Sequence, residues 1–202
     1  AALVARSART TDSLANRVIT EIALPLSRTG DQYPLGNLIA DAFRNVLRAD
    51  VALVNNGGIR ADVAAGPLTY GQLFTVMPFQ NQAVTVTITG KQLREMAEAS
   101  ITVDGPDAHV SGLQITYDAT RPAGQRVRDL RLANGKKPKD DARYTLAVNS
   151  FLAAGQSGYT MLRTAPQTSA GMSDIEVMEL YLRRLPRPVR PPEDARYIPA
   201  AR

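Results

Sequence analysis

Apolar residues recur along the chain with two periods, and the longer period predicts its helices. The spacing i, i+3, i+4, i+7 favours a helix over residues 35–47, whose inward face would hold Leu35, Leu38, Ile39, Ala42, Phe43, Val46 and Leu47. Pro34 precedes this face at a first-turn position, where proline is tolerated. The same period predicts further helices over residues 10–17, 71–76, 91–100 and 174–185.

The shorter period, in which apolar and polar residues alternate, predicts the strands. These lie at residues 18–26, 51–54, 83–89, 110–117, 126–132 and 144–148. Asn134-Gly135 is a hairpin signal, and helices and strands interleave without a strict βαβ order. The pattern therefore predicts an α+β fold, a single domain with a mixed β-sheet packed against helices.

Composition narrows the possible chemistry. The 202 residues, 44% of them hydrophobic, can bury one substantial core. The chain has no cysteine and one histidine, which excludes thiolate and histidine-rich metal centres. That histidine, His109, follows a Gly-Pro-Asp turn and is predicted to be an ordinary loop residue. No apolar run approaches the roughly 20 residues that span a bilayer, so we expect no membrane span.

The net charge of +5 is spread along the chain, so we expect no nucleic-acid partner. We therefore rank binding to nucleic acid as the least supported function of this chain. Only the stretch LRRLPRPVRPPEDAR at residues 182–196 is locally dense in charge. Its prolines predict an extended, solvated strap over residues 186–202.

Three irregular stretches, at residues 55–60, 78–81 and 149–159, place an aromatic ring or an arginine among glycine and asparagine. Adjacent glycines permit positive φ or the close approach of another group. Each phenylalanine in these stretches fits a buried core position, but two rings at loop mouths would also form a stacking slot for a flat ring. Gly36 and Asn37, at a helix start, leave two explanations open: close packing, or a site against the helix.

Taken together, these stretches resemble one family. NNGGIRADVAAGPLTYGQLFTVMPFQN, at residues 55–81, is similar to the N-G-G-G-I-R…P-F-x-N signature of the 5′-nucleotidase C-terminal domain. YPLGNLIADAFR resembles the S-P-x-G-N-L-I-A-D-A helix of that domain, and VNSFLAAGQSGYTML resembles its N-x-F-L-A-x-G-G-D-G-Y loop. The order and spacing of the motifs match over roughly residues 15–185.

The resemblance implies one half of a two-domain enzyme. Members of the family are secreted or periplasmic phosphohydrolases, in which an N-terminal metallophosphoesterase domain holds two divalent metal ions and a His–Asp pair. The C-terminal domain supplies the nucleotide pocket. By this resemblance residues 1–14 would end an interdomain linker helix, residues 15–185 would form the substrate-binding domain, and residues 186–202 would form the strap. The expected location is periplasmic, cell-envelope or secreted.

The resemblance also implies roles for individual residues. Phe79 and Phe151 would sandwich the base, and Asn81 would contact its edge. The phosphate side of the substrate would face residues of the glycine turn and two arginines, namely Asn55, Gly57, Gly58, Arg60 and Arg28. Arg28 is offset by about one residue from the family spacing.

One departure from the family pattern concerns the ribose. The family sequence G-G-D-G reads Gly155-Gln156-Ser157-Gly158 here. Ser157 replaces the aspartate that holds the ribose hydroxyls, so a hydrogen bond is kept but its charge-assisted strength is lost. Gln156 in place of glycine is expected to restrict the loop.

Two functions follow as expectations. The first is the substrate-binding half of a metal-dependent nucleotide phosphohydrolase, with no catalytic or metal-binding residue in this chain and no activity of the chain alone. The alternative is a non-catalytic binding or structural module of the cell envelope. The resemblance leaves several substrate classes open: mononucleotides, nucleotide sugars, cyclic nucleotides or another group such as one derived from thiosulfate.

Overall fold

The computed structural model of the protein describes residues 13–201. Its strands, in chain order, are β1 (Val18–Ile22), β2 (Val51–Asn55), β3 (Gly66–Thr69), β4 (Gln82–Thr89), β5 (Ile101–Thr102), β6 (Gly105–Pro106), β7 (Ala108–Ser111), β8 (Leu113–Tyr117), β9 (Val127–Leu132), β10 (Arg143–Asn149), β11 (Gln167–Ser173) and β12 (Tyr197–Pro199). Its helices are α1 (Pro34–Val46), α2 (Tyr70–Val76), α3 (Gly90–Ala99), α4 (Ser150–Ala153) and α5 (Asp174–Leu182).

A five-stranded mixed sheet in the order β11-β4-β10-β2-β7 forms the centre of the fold. Strands β10 and β2 pair in parallel, and the other neighbours in this sheet pair antiparallel. A second sheet has the order β12-β8-β9, and β1 with β3 and β5 with β6 form two-stranded pairs. The predicted α+β fold with a mixed sheet is therefore confirmed.

The central sheet separates two halves of the hydrophobic core. Because successive side chains of a strand point to opposite faces, Ala52 and Val54 join the half that packs on α1 and α5. Val51 and Leu53 join the half that packs on α3 and the second sheet. Each fully buried side chain of this kind contributes roughly 1.5–3 kcal/mol through apolar burial. The central strands are thus held from both faces, which fixes the sheet edge described below.

Capping explains where three of the helices begin. The side chains of Thr69, Thr89 and Ser173 each accept a hydrogen bond from the backbone N–H of the third helical residue. The side chain of that third residue accepts in turn from the backbone N–H of the capping residue. Helix α1 begins at Pro34 as predicted, whereas α5 ends at Leu182 rather than at residue 185. Most of the predicted helix at residues 10–17 lies outside the described residues, and residues 13–15 are helical.

Several strand predictions are wrong in detail. The strand predicted at residues 18–26 ends at Ile22, and the one predicted at 110–117 is two strands separated by Gly112, whose φ is +78°. Strand β11 was not predicted, because Gln167–Ser173 has no clear apolar alternation; it forms by antiparallel pairing with β4.

The prediction for His109 is also wrong. The residue lies within β7 and is completely buried, with its ring 4.2 Å from that of Tyr33. A Cβ placed on Gly36 would come within 2.1 Å of the His109 ring, so glycine is required there for close packing. Of the two explanations left open for the start of α1, packing is the one observed.

The C-terminal segment is extended but not solvated throughout. Arg196 is only 5% exposed, and its guanidinium donates to both oxygens of Asp41, to both of Asp194 and to the carbonyl of Val110. Strand β12 then pairs in parallel with β8. The prediction of a solvated strap is therefore wrong around Arg196, while the domain boundaries at residues 14 and 185 stay predictions.

Candidate functional site

One recess at the edge of the central sheet gathers residues from all three irregular stretches. It has a volume of about 230 Å³ and is called the aromatic recess here; its lining comprises Asn55, Gly57, Gly58, Phe79, Asn81, Asn149, Phe151 and Ser157. Seven of these eight are candidate residues from the sequence, and Asn149 is not. Two further candidates, Arg28 and Arg60, lie outside this recess.

Strand order explains why distant residues meet here. Since β2 and β10 run in parallel, their carboxyl ends reach the same edge, where Asn55 and Asn149 are the last residues. The Asn149 side chain donates to Asn55 Oδ1 at 3.2 Å and accepts from the backbone N–H of Leu152 at 2.9 Å. Asn149 thereby caps α4 and places Phe151 in the first turn of that helix.

The two rings of the aromatic recess are partly open to solvent. Phe79 is 57% exposed and precedes β4, which begins at this same edge because it is antiparallel to β10. Phe151 is 42% exposed. Exposed aromatic rings that line a concave site with several amide side chains fit a ligand-binding pocket better than a packing role.

Gly57 and Gly58 act through space rather than through backbone conformation. Neither has a positive φ, so of the two uses that adjacent glycines permit, left-handed backbone is not the one found here. A Cβ on Gly58 would lie 3.3 Å from Asn55 Oδ1, slightly tighter than an ordinary contact, and one on Gly57 would lie 3.4 Å from Asn55 Nδ2, at the near limit of ordinary contact. The glycines therefore leave room for Asn55 to turn toward Asn149.

Left-handed backbone occurs instead at two non-glycine residues beside the aromatic recess. Gln80 has a φ of +50° and Ser157 a φ of +53°. Such conformations cost free energy and persist where surrounding structure holds them, often at binding sites. Gln156 keeps a negative φ between Gly155 and Ser157, so its replacement of glycine strains nothing at that position.

Asn81 is held from behind by Asp174, the first residue of α5. The backbone N–H of Asn81 donates to Asp174 Oδ2 at 3.2 Å, and Asn81 Nδ2 lies 3.5 Å from the same oxygen. Burial raises the pKa of the Asp174 carboxyl, while hydrogen bonds from the backbone of Ile175 and from Asn81 act in the opposite direction.

The two candidate arginines line a neighbouring open recess of about 340 Å³, the arginine recess, together with Thr29, Ala61 and Asp62. Arg28 Nη1 donates to the carbonyl of Ile59 at 2.8 Å, and Arg60 Nη1 lies 3.5 Å from the carbonyl of Gly57. The short segment between Gly57 and Arg60 thus joins the aromatic recess to the arginine recess.

Within residues 13–201, no three histidine, aspartate or glutamate side chains converge in a way that could hold a metal ion. Burial lowers the pKa of His109 to about 3, and the buried guanidinium of Arg196 adds to the effect. The imidazole is therefore neutral, and its Nδ1 lies 3.3 Å from Asn37 Oδ1 inside the core. In the same part of the chain, none of the helices has the length and apolar character to cross a membrane.

Two residues of the site escaped sequence reasoning, although both carried a signal. Asn149 ends an apolar strand and precedes Ser-Phe-Leu, which is an N-cap position. Asp174 follows Ser173 in a Ser-x-x-Glu capping box, which predicts the helix but not the contact with Asn81.

Comparison with known proteins defines the class to which this fold belongs. The chain superposes on a 5′-nucleotidase precursor from Thermus thermophilus with a TM-score of 0.86 and 30% identity, over 97% of this chain and 42% of that one. It is 37% identical to endonuclease YhcR of Bacillus subtilis over 88% of its own length and 15% of the relative. It is 32% identical to the trifunctional nucleotide phosphoesterase YfkN of Bacillus subtilis, over 80% of this chain and 12% of the relative.

The family model described as the 5′-nucleotidase, C-terminal domain, matches residues 9–164. The chain belongs to this family, and the resemblance drawn from its motifs is confirmed. It spans less than half the length of each of the three proteins named above.

Proposed function

We propose that this chain is the nucleotide-binding domain of a metal-dependent 5′-nucleotidase-type phosphohydrolase. In this role Phe79 and Phe151 stack on the two faces of the base, and Asn81 contacts the base edge. Asn55, Gly57 and Gly58 shape the wall between base and phosphate, and Ser157 faces the ribose. Arg60 and Arg28 attract the phosphate.

One observation carries the proposal. Two phenylalanines 72 positions apart in sequence line one small recess with half-exposed rings, surrounded by amide side chains. Base–aromatic stacking is worth roughly 1–3 kcal/mol per base and tolerates different bases, which suits a domain whose relatives include a nucleotidase and a nucleotide phosphoesterase.

The arginine recess supports the phosphate part of the role. A guanidinium meets phosphate oxygens bidentately, and Arg28 and Arg60 are both exposed at the rim of the 57–60 segment. Holding base and phosphate at two ends fixes the substrate in one orientation, which lowers the barrier of a reaction carried out elsewhere.

The metal ions of this proposal belong to a second domain. The described residues of this chain do not fit a metal pair, so the two divalent ions and the attacking water are assigned to an N-terminal metallophosphoesterase domain as partner. The chain by itself would bind substrate and hydrolyse nothing. A periplasmic, cell-envelope or secreted location is part of the same proposal, and fractionation of cells expressing the full-length protein tests it.

The proposal is tested by calorimetric titration of adenosine into the wild type, Phe79→Ala and Phe151→Ala. Each variant should bind about 5- to 150-fold more weakly, the equivalent of losing one stacking contact. Phe74→Ala is the matched control, because Phe74 is 36% exposed on α2 but does not line the aromatic recess.

Three results would overturn the proposal or part of it. Unchanged affinity in both recess variants would remove the stacking role, and metal-dependent turnover of AMP by the purified 202-residue chain would refute the division of labour. Absence of nucleoside and nucleotide binding by the wild type would favour the alternative, a non-catalytic envelope module that keeps the fold without the ligand.

A further inference from the structure

Asp174 contacts Asn81 through both backbone and side chain. Asp174 is 5% exposed, and its two carboxylate oxygens are divided between neighbours. Oδ1 accepts from the backbone N–H of Ile175 at 2.9 Å, while Oδ2 accepts from the backbone N–H of Asn81 and lies 3.5 Å from Asn81 Nδ2. The N–H of Asp174 in turn donates to the Asn81 carbonyl at 2.9 Å. Asp174 therefore contacts both the backbone and the side chain of Asn81 from the buried side.

This arrangement sets the polarity that Asn81 presents to the aromatic recess. An ionised carboxylate only accepts hydrogen bonds, so the amide must turn its NH₂ group toward Asp174. Although burial raises the pKa of this carboxyl, both of its oxygens accept from backbone N–H groups, of Ile175 and of Asn81. Asp174 therefore presents acceptors to the Asn81 amide, and its place in the first turn of α5 favours a negative charge through the helix dipole. Since Asn81 lines the aromatic recess, its Oδ1 is the side-chain atom left to meet a ligand as an acceptor.

We infer that Asp174 is a positioning residue that holds Asn81 Oδ1 toward the aromatic recess and so selects bases with an exocyclic amino group over bases with a carbonyl group at that place. The inference rests on the proposed function and names its preferred substrate class. Adenine carries an amino group at C6, where hypoxanthine carries a carbonyl. Asn81 Oδ1 accepts from the first, whereas it meets a second acceptor in the other base, which is repulsive and weakens binding.

The test compares adenosine with inosine by calorimetry in the wild type, Asp174→Asn and Asp50→Asn. The wild type should prefer adenosine by about tenfold, within the range for one base-edge pairing. In Asp174→Asn the new amide can donate to Asn81 Oδ1 and release the fixed orientation, so the preference should fall toward one. Asp50→Asn is the control, because the Asp50 carboxylate also accepts two bonds, both from Thr145 near the opposite ends of β2 and β10. It should keep the preference.

Equal affinity for the two nucleosides in the wild type, or an unchanged preference in Asp174→Asn, would overturn the inference while leaving the proposed function intact. Failure of the wild type to bind either nucleoside would overturn both. Because the ratio is measured on folded protein, a general loss of stability does not mimic the result.

If circular dichroism shows that Asp174→Asn does not fold, the inference is tested instead by NMR of the side-chain amide of Asn81 in the wild type. Its NMR signals are assigned by their loss in Asn81→Ala. One slowly exchanging, downfield Nδ2 proton in the wild type would support the orientation toward Asp174. Two Nδ2 protons with the shifts and the fast solvent exchange of an exposed, unbonded amide would overturn it.

Discussion

Two parts of this molecule combine glycine with asparagine, and they use the pair in opposite ways. At the start of α1, Gly36 admits the ring of His109, and Asn37 bonds to that ring and to the C-terminal segment. Arg196 lies beside these residues. We call the group formed by Gly36, Asn37, Asp41, His109, Asp194 and Arg196 the histidine cluster. The hydrogen bonds of this cluster are mostly used within the protein.

In the aromatic recess the glycines admit only the side chain of Asn55, and the two rings stay open. The side-chain amide of Asn149 is used in hydrogen bonds to Asn55 and Leu152, whereas the side-chain amide of Asn81 lines the recess. The difference shows that a Gly-Asn motif is no guide to function by itself. What separates the two places is whether the polar groups end inside the core or at an exposed concave surface.

The largest effect is expected from Arg196→Ala in the histidine cluster. The substitution removes the donor to the buried carbonyl of Val110 and the partner of Asp41, so the free energy of unfolding should fall by about 3 kcal/mol. Urea denaturation measures this. Arg131→Ala, which breaks an exposed pair with Asp129, should cost no more than about 0.5 kcal/mol. Equal losses in both variants would contradict the comparison.

The next effect is a pH dependence of stability caused by His109. Its pKa in the folded protein is lowered to about 3, below the unfolded value, so the unfolded chain binds the extra proton between these two values. The free energy of unfolding should therefore fall by about 2 kcal/mol as the pH is lowered from about 7 to about 5. In this window most carboxylates stay ionised in both states.

His109→Gln isolates that contribution. The variant keeps a polar side chain opposite Asn37 but cannot titrate, so its stability should change little over the same pH window. Denaturation at several pH values, compared between the two proteins, gives the difference directly. Parallel pH curves would mean that His109 binds its proton equally well in the folded and unfolded states, contrary to its burial.

A smaller change in stability than in the two preceding cases is expected from Asn149→Ala. Loss of this helix cap should cost about 1 kcal/mol, and adenosine should also bind several-fold more weakly because Phe151 loses its support. Thr89→Ala removes the equivalent cap of α3, far from the recess lining, and should cost a similar amount without changing affinity. If Asn149→Ala binds adenosine as tightly as the wild type, then the helix cap does not support the binding site, contrary to the prediction.

Local patterns predicted what is decided locally. The period of α1 and the alternation of β4 are strong because each element buries one face. The candidate residues of the aromatic recess could be identified from the sequence because they lie at the ends of strands, among turn residues. Seven of them do meet in one recess, although their roles stay predictions.

The misses depend on contacts between distant residues. His109 follows turn residues, yet β2 pairs with β7 and draws it into the core. Arg196 sits in a proline-rich stretch that composition marks as solvated, and only the carboxylates brought beside it make its burial tolerable. Asp174 looked like a helix start, and its contact with Asn81 requires β4 and α5 to be adjacent.

The most direct test of the central claim is a backbone NMR titration of the isolated domain with adenosine. The account predicts that the largest shift changes fall in residues 55–58, 79–81 and 149–157, with the histidine cluster unaffected. Changes centred on Gly36 and His109, or no change at ligand concentrations of several millimolar, the weak end of specific binding, would contradict the assignment of the aromatic recess as the nucleoside site.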